Sequence, residues 1–190
     1  MMRLLIILLP VALFCIVLTH CTTTNKKTNT TTMDSLKKDN PVYSNTDTNK
    51  VNIADSEWKK ILPEDVYEIA RQKGTERPFT GKYWDATDTG IYYCAACGNP
   101  LFASNGKFES SCGWPSFFEP ITKGSIIYAP DNSYGMKRTE VMCGRCKAHL
   151  GHVFEDGPPP TGLRYCINSV ILDFEKAKDA EKKFNNDSTK

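Results

Sequence analysis

Eight cysteines, at positions 15, 21, 94, 97, 112, 143, 146 and 166 of a 190-residue chain, can be sorted by their neighbours. Four form two Cys-x-x-Cys pairs, Cys94/Cys97 and Cys143/Cys146. Each such pair can fold into a tight knuckle that presents two thiolates on one side of a tetrahedral ion. Gly98 and Gly144 supply backbone freedom beside the knuckles. Four sulfur ligands leave no open position for water or substrate, so an ion held here is structural. Two disulfides or two redox-active pairs are the competing readings, and an oxidising compartment would favour them. Paired knuckles of this type are nonetheless commoner as metal sites, and a structural zinc is the expectation.

Cys112 and Cys166 have no place in that set. Two unassigned thiols in one small domain suggest thiol–disulfide chemistry. Cys166 lies in Arg164-Tyr165-Cys166-Ile167-Asn168. On a strand, Arg164, Cys166 and Asn168 point to one face. A guanidinium there favours thiolate over thiol, and an amide can donate to a substrate oxygen. The plain alternative is a buried strand cysteine beside a surface arginine. His149 and His152 can give or take protons near neutral pH. A second metal site at that pair would lack further ligands. After Cys112, Gly113-Trp114-Pro115-Ser116-Phe117 makes a turn that can present Trp114 and Phe117 as an apolar platform suited to a thioether-like methyl group. An ordinary aromatic core cluster is the alternative.

These residues need a scaffold. Ser56 can cap a short helix through Trp58, Ile61 and Leu62. Pro63, Glu64 and Asp65 suit the start of a second helix, whose apolar positions are Val66, Ile69 and Ala70 and whose stop is Gly74. From Thr80 onward short β-branched and aromatic runs alternate with Gly, Pro, Asn and Asp. They are 90–93, 107–108, 125–128, 139–142, 164–167 and 170–172. The expected fold is mainly β and antiparallel, with short helices leading in. Residues 175–183 suggest a last surface helix.

The front of the chain differs. Residues 4–18 are apolar, short of the ~20 residues a bilayer span needs but fitting the centre of a secretory signal. Leu18-Thr19-His20-Cys21 resembles a bacterial lipoprotein signal with Cys21 as the lipid-bearing residue, although His20 stands where a small residue is usual. An uncleaved anchor, or a signal cut without lipid, are the alternatives. All three place the remainder outside the cytoplasm or on a membrane face. Residues 22–53 hold nine Thr and six Asn and read as a flexible polar tether. The expected division is therefore 1–21, a signal segment; 22–53, a linker; and 54–190, one domain. Of the net charge of +2, residues 1–53 carry +3 and residues 54–190 carry −1. A domain this near neutrality is a poor nucleic-acid binder.

Taken together, 56–174 resembles the R-type methionine sulfoxide reductases, the MsrB family. The resemblance runs through Gly74-Thr75-Glu76-Arg77-Pro78-Phe79-Thr80-Gly81, both Cys-x-x-Cys pairs, Phe108-Glu109-Ser110-Ser111-Cys112-Gly113-Trp114-Pro115-Ser116-Phe117, His149-Leu150-Gly151-His152-Val153-Phe154 and Gly162-Leu163-Arg164-Tyr165-Cys166-Ile167-Asn168-Ser169. Ser111 stands where the family often has glycine. The resemblance implies two antiparallel sheets, of the β-tent type, with zinc at the edge opposite the active site. It implies Cys166 as nucleophile, Cys112 as resolving cysteine, and Cys94, Cys97, Cys143 and Cys146 as zinc ligands. Trp114 would pack on the substrate methyl, and His149, His152, Arg164 and Asn168 would form the polar side of the pocket. The implied reaction reduces methionine R-sulfoxide, free or in protein, through a Cys166 sulfenic acid and a Cys112–Cys166 disulfide. A thioredoxin-type dithiol would reset the pair, and the role would be repair of oxidised proteins. The expected assembly is a monomer. A non-catalytic zinc-ribbon module would leave Cys112, Cys166 and the histidines unexplained. A thiol redox sensor would lack a substrate pocket.

Overall fold

The computed structural model describes residue 37 and residues 39–178. The expectations for residues 1–21, Cys15 and Cys21 included, and for 22–36 of the tether lie outside the described residues. Two short helices, α1 (Asp55–Ile61) and α2 (Glu64–Gln72), precede nine strands. These are β1 (Gly90–Cys94), β2 (Pro100–Ala103), β3 (Lys107–Phe108), β4 (Ser116–Phe117), β5 (Ile126–Asp131), β6 (Arg138–Cys143), β7 (His149–Phe154), β8 (Arg164–Ile167) and β9 (Leu172–Lys176). They form two antiparallel sheets, ordered β2-β1-β9 and β3-β4-β8-β7-β6-β5. Among the described residues no helix is long and apolar enough to cross a membrane.

Alternation along each strand decides what faces the core. In β8, Tyr165 and Ile167 are buried in the core with Phe117, Phe102 and Tyr92. Cys166, between them, points to the opposite face. Its cross-strand partners are Ser116 on β4 and His152 on β7, so these three side chains share that face. Val66, Ile69 and Ala70 of α2 bury as the helical spacing predicts.

Three local expectations give way. α1 starts after Ala54, with no side-chain cap, so Ser56 lies inside the helix instead of capping it. α2 ends on Lys73 in the left-handed conformation (φ 58°), one residue before Gly74. Residues 175 and 176 of the expected last helix belong to β9, because Gly90 and Ile91 pair with Lys176 and Glu175; 177 and 178 are helical, and 179–183 lie outside the described residues.

The larger correction concerns 40–53, expected to be part of a flexible tether. These residues instead form a strap fixed to the knuckles. The Asn40 amide donates to Ala96 O at 3.0 Å, Ser44 N–H to Cys97 O at 3.0 Å, and Val51 N–H to Arg145 O at 3.0 Å. Arg145 is 4% exposed and donates to the carbonyls of Asn49, Val42, Ser44 and Cys97 and to the Asp47 carboxylate. Composition misleads here because the strap is held chiefly by backbone carbonyls converging on one buried guanidinium, while only Val42, Val51 and Ile53 pack against the core.

Two sulfur centres and a candidate active site

The strap covers the first centre. After each Cys-x-x-Cys pair the chain turns through a left-handed residue, Gly98 (φ 79°) in one knuckle and Lys147 (φ 60°) in the other. A side chain at Gly98 would lie 2.7 Å from the Ser44 backbone, so the strap also requires that glycine. The four sulfurs of Cys94, Cys97, Cys143 and Cys146 are buried and lie within 4.8 Å of one another. The closest pairs run between knuckles, Cys94–Cys146 at 3.8 Å and Cys97–Cys143 at 3.7 Å. Disulfides need about 2.05 Å. A tetrahedron with metal–sulfur bonds of about 2.3 Å has sulfur–sulfur edges near 3.8 Å. The donor set therefore fits a metal ion with four thiolate ligands. Contact with Cys143, and then with Cys146 and Cys97, pushes the Cys94 thiol well above its ordinary range. A bound cation would remove that conflict.

The second centre is the pair Cys112 and Cys166, whose sulfurs are 3.4 Å apart. Cys166 rides on central strand β8, while Cys112 lies in the turn before β4. Cys112 Sγ also lies 3.4 Å from Ser116 Oγ, and the Cys112 N–H donates to Ser110 Oγ at 3.2 Å. The two thiols titrate as a pair. The bond from Cys166 brings Cys112 down to about 4; burial opposes this, and Ser110 and Ser116 assist it. Contact with Cys112, then burial, pushes Cys166 far above the thiol range, and Arg164 pulls it partly back. Within the reduced pair these contacts favour Cys112 over Cys166 as the thiolate. Arg164 acts in the expected direction and is outweighed.

A cleft of about 110 Å³ opens over Cys166, lined by Trp114, His152, Asn168, Phe154, Thr75 and Arg138. Four further expected site residues meet different fates. Trp114 is half-buried, with its indole N–H donating to Glu76 O at 3.1 Å. Phe117 is not part of the platform. It is 0% exposed and stacks on Phe102 at 4.4 Å, because its partner in register is the core residue Tyr165. Asn168 lines the cleft, but its amide donates to Leu150 O at 3.0 Å and its oxygen accepts from Glu76 N–H at 3.0 Å. Arg164 makes a bidentate pair with Asp156, both bonds 2.9 Å, and lies 4.5 Å over the Phe154 ring.

The two histidines occupy different positions. His152 stands directly across from Cys166, with Nε2 at 2.7 Å from the Asp131 carboxylate, which Arg138 also holds. His149 is 3% exposed, its ring 5.5 Å from that of His152. Its Nδ1 meets Glu140 at 2.8 Å, and Lys73 holds the other Glu140 oxygen at 2.7 Å. Burial resists ionisation of Glu140, but Lys73 and His149 outweigh it and hold the carboxyl below its usual range. Burial also lowers His149, against the pull of Glu140. A neutral imidazole beside an ionised carboxylate donates from Nδ1.

Several positioning residues carried no separate signal in the sequence. The Glu76 carboxylate accepts from the N–H groups of Ser169 and Val170 at 2.6 and 3.1 Å, so this one residue ties Trp114, Asn168 and the end of β8 together. Glu140 is 2% exposed between Thr139 and Val141, a burial that its strand sequence does not signal. Asp131 and Asp156 lie in loop-like stretches where acids are ordinary.

A family model described as the SelR domain matches residues 62–176. Over 126 residues the chain is 56% identical to the peptide methionine sulfoxide reductase MsrB of Agrobacterium fabrum, covering 66% of this chain and 93% of that protein. It is 60% identical over 119 residues to the protein of the same name from Pseudomonas putida, covering 63% and 90%. The similarly named protein of Methanosarcina mazei is 55% identical over 134 residues, covering 70% and 96%.

Proposed function

The chain belongs to the SelR domain family, that of the MsrB peptide methionine sulfoxide reductases, and we propose from that premise that it reduces methionine R-sulfoxide to methionine at Cys166. The observation that carries the reading is the 3.4 Å approach of Cys112 to Cys166, which lines a cleft together with Trp114 and His152.

The substrate methyl packs on Trp114, which Glu76 fixes. The sulfoxide oxygen points to the His152 side of the cleft. For attack, the proton on Cys166 passes to Cys112 across the sulfur contact, and Arg164 favours the charge that arrives. The Cys166 thiolate attacks sulfur as the oxygen takes a proton, with His152 as the acid. Methionine leaves and Cys166 holds a sulfenic acid. Cys112 Sγ attacks that sulfur and displaces water. The sulfurs need to close by about 1.4 Å to reach a disulfide length of ~2.05 Å. An external dithiol of thioredoxin type restores both thiols.

The Cys94, Cys97, Cys143 and Cys146 set suits one structural zinc per chain, which would join β1 to β6 and take no part in turnover. The apolar run 4–18 and Cys21 support export to a bacterial envelope and lipid attachment. Palmitate labelling of the full chain, lost in Cys21→Ala, tests the second point.

The enzymatic test uses separated R and S sulfoxides with dithiothreitol. Repeated turnover of the R form alone is expected. Turnover of neither would remove the reading.

A further inference from the structure

A Cys112–Cys166 disulfide returns to two thiols only when two electrons arrive from outside. The 110 Å³ cleft over Cys166 admits a side chain but not a folded protein. Beside the Cys112 turn lies a separate cleft of about 670 Å³ whose lining includes Ser110 and Ser111. The reduction of sulfoxide uses none of it.

Its lip is unusual. Phe79 is 54% exposed and adopts φ 63°, a left-handed conformation that is strained for a bulky residue. Phe79 N–H donates to Gly113 O at 2.7 Å, so this strained turn is fastened to the residue after Cys112. A side chain at Gly113 would lie 2.7 Å from Pro78, so the two turns are in close contact. The Phe79 ring stands edge-on to Trp84 at 5.4 Å, and Phe108 continues the apolar wall. Asp85 and Glu109 line the cleft with Lys107, whose amine is turned to Trp84 O at 3.1 Å, while the Asp88 carboxylate at its far end is paired with Lys176 at 3.0 Å. A ring held outward at a cost, an acidic rim and continuity with the Cys112 turn describe a place where another protein lands.

We propose that this cleft is the docking surface for a protein dithiol with an apolar tip and a cationic rim, which delivers its thiolate to Cys112 Sγ. The proposal rests on the roles of Cys112 and Cys166 given above. The partner's thiolate bonds to Cys112 Sγ, the Cys112–Cys166 bond breaks, and the electron pair leaves on Cys166 beside Arg164. The partner's second thiol then attacks its own first sulfur. Cys112 leaves as a thiolate beside Ser110 and Ser116, and the partner departs as a disulfide. Substrate and reductant thereby use separate clefts that meet at one sulfur pair.

The test compares dithiothreitol with reduced thioredoxin as the protein dithiol, the latter regenerated by its reductase and NADPH. Phe79→Asn removes the ring but keeps a residue tolerant of positive φ. It should raise the KM for thioredoxin about tenfold and leave dithiothreitol-driven turnover unchanged. The double variant D85N/E109Q should raise that KM about threefold and flatten its rise with salt. Equal loss with both reductants, or no loss with either, overturns the proposal. So does a higher KM for a methionine-sulfoxide polypeptide with thioredoxin unaffected, which would give the cleft to the substrate. Absence of dithiothreitol turnover in the unaltered protein would instead sink the catalytic reading beneath it.

Discussion

Four sulfurs at the knuckles and two at the face of β8 have nearly the same spacing, with closest pairs at 3.7 and 3.8 Å in the first and 3.4 Å in the second. Their surroundings set them apart. The knuckle sulfurs are buried, come from two tight turns and lie under a strap pinned by Arg145. The other two pair a residue of a central strand with one of a turn, and a cleft opens over them. Burial and four-fold donation make the first a clamp with no free position. A turn cysteine beside a strand cysteine, both reached by solvent, suits the second to the turnover proposed above. Distance between thiols says little about their chemistry until the access and mobility of each sulfur are known.

The largest expected effects separate the two centres outright. Cys166→Ser should abolish even a single turnover. Cys112→Ser should still release methionine once and then stop with thioredoxin as reductant, which rapid-quench product analysis would show. Normal recycling in Cys112→Ser would remove the resolving role. Stripping metal with a chelator should lower the Tm by roughly 20 °C or more without changing the Cys112–Cys166 distance in the protein that remains folded. Calorimetry with metal analysis checks this, and an unchanged Tm with no metal bound would leave the clamp as four plain thiols.

Next in size is the strap. Arg145→Met leaves the carbonyls of Val42, Asn49 and Cys97 without their donor, at a cost of about 3 kcal/mol. Chelators should also extract metal faster from this variant. Catalysis with dithiothreitol, at the other centre, should persist at temperatures where the variant stays folded.

Much of this was legible in the residues. The knuckles, both thiols, Trp114 and the histidines sit in motifs whose spacing survives without coordinates. The alternation in Arg164-Tyr165-Cys166-Ile167 already told which side chains share a face. Phe117 was misread because a turn sequence does not tell which side of the short strand after it faces the core; only pairing with Tyr165 decides that. The strap was missed because polar composition was equated with flexibility. The anchor of 42–49, Arg145, lies almost a hundred residues away and looked like a filler between two cysteines. Glu140 and Glu76 act through partners distant in the chain, which no local pattern reveals.

A smaller effect concerns pH. His149 is held neutral by burial, so its folded pKa lies below its unfolded value. The unfolded chain then takes up the proton more readily, and stability should fall as pH drops below the ordinary histidine range near 6.5. Glu140, with a depressed pKa, adds to the loss at lower pH. His149→Gln should flatten the Tm decline between pH 7 and 5. The smallest effect is one of order. With Cys112 near 4, iodoacetamide at pH 6 should label Cys112 before Cys166, and before any knuckle cysteine, as peptide mass spectrometry would read.

The central claim is that only one of the two sulfur centres turns over. Mix the reduced, metal-loaded protein with a methionine R-sulfoxide peptide and no reductant, then measure methionine released, metal retained and the cysteines joined. About one methionine per chain, a Cys112–Cys166 disulfide and full metal retention is the predicted result. Metal release with oxidation at Cys94, Cys97, Cys143 or Cys146, or methionine formed while Cys166 stays a thiol, would contradict it.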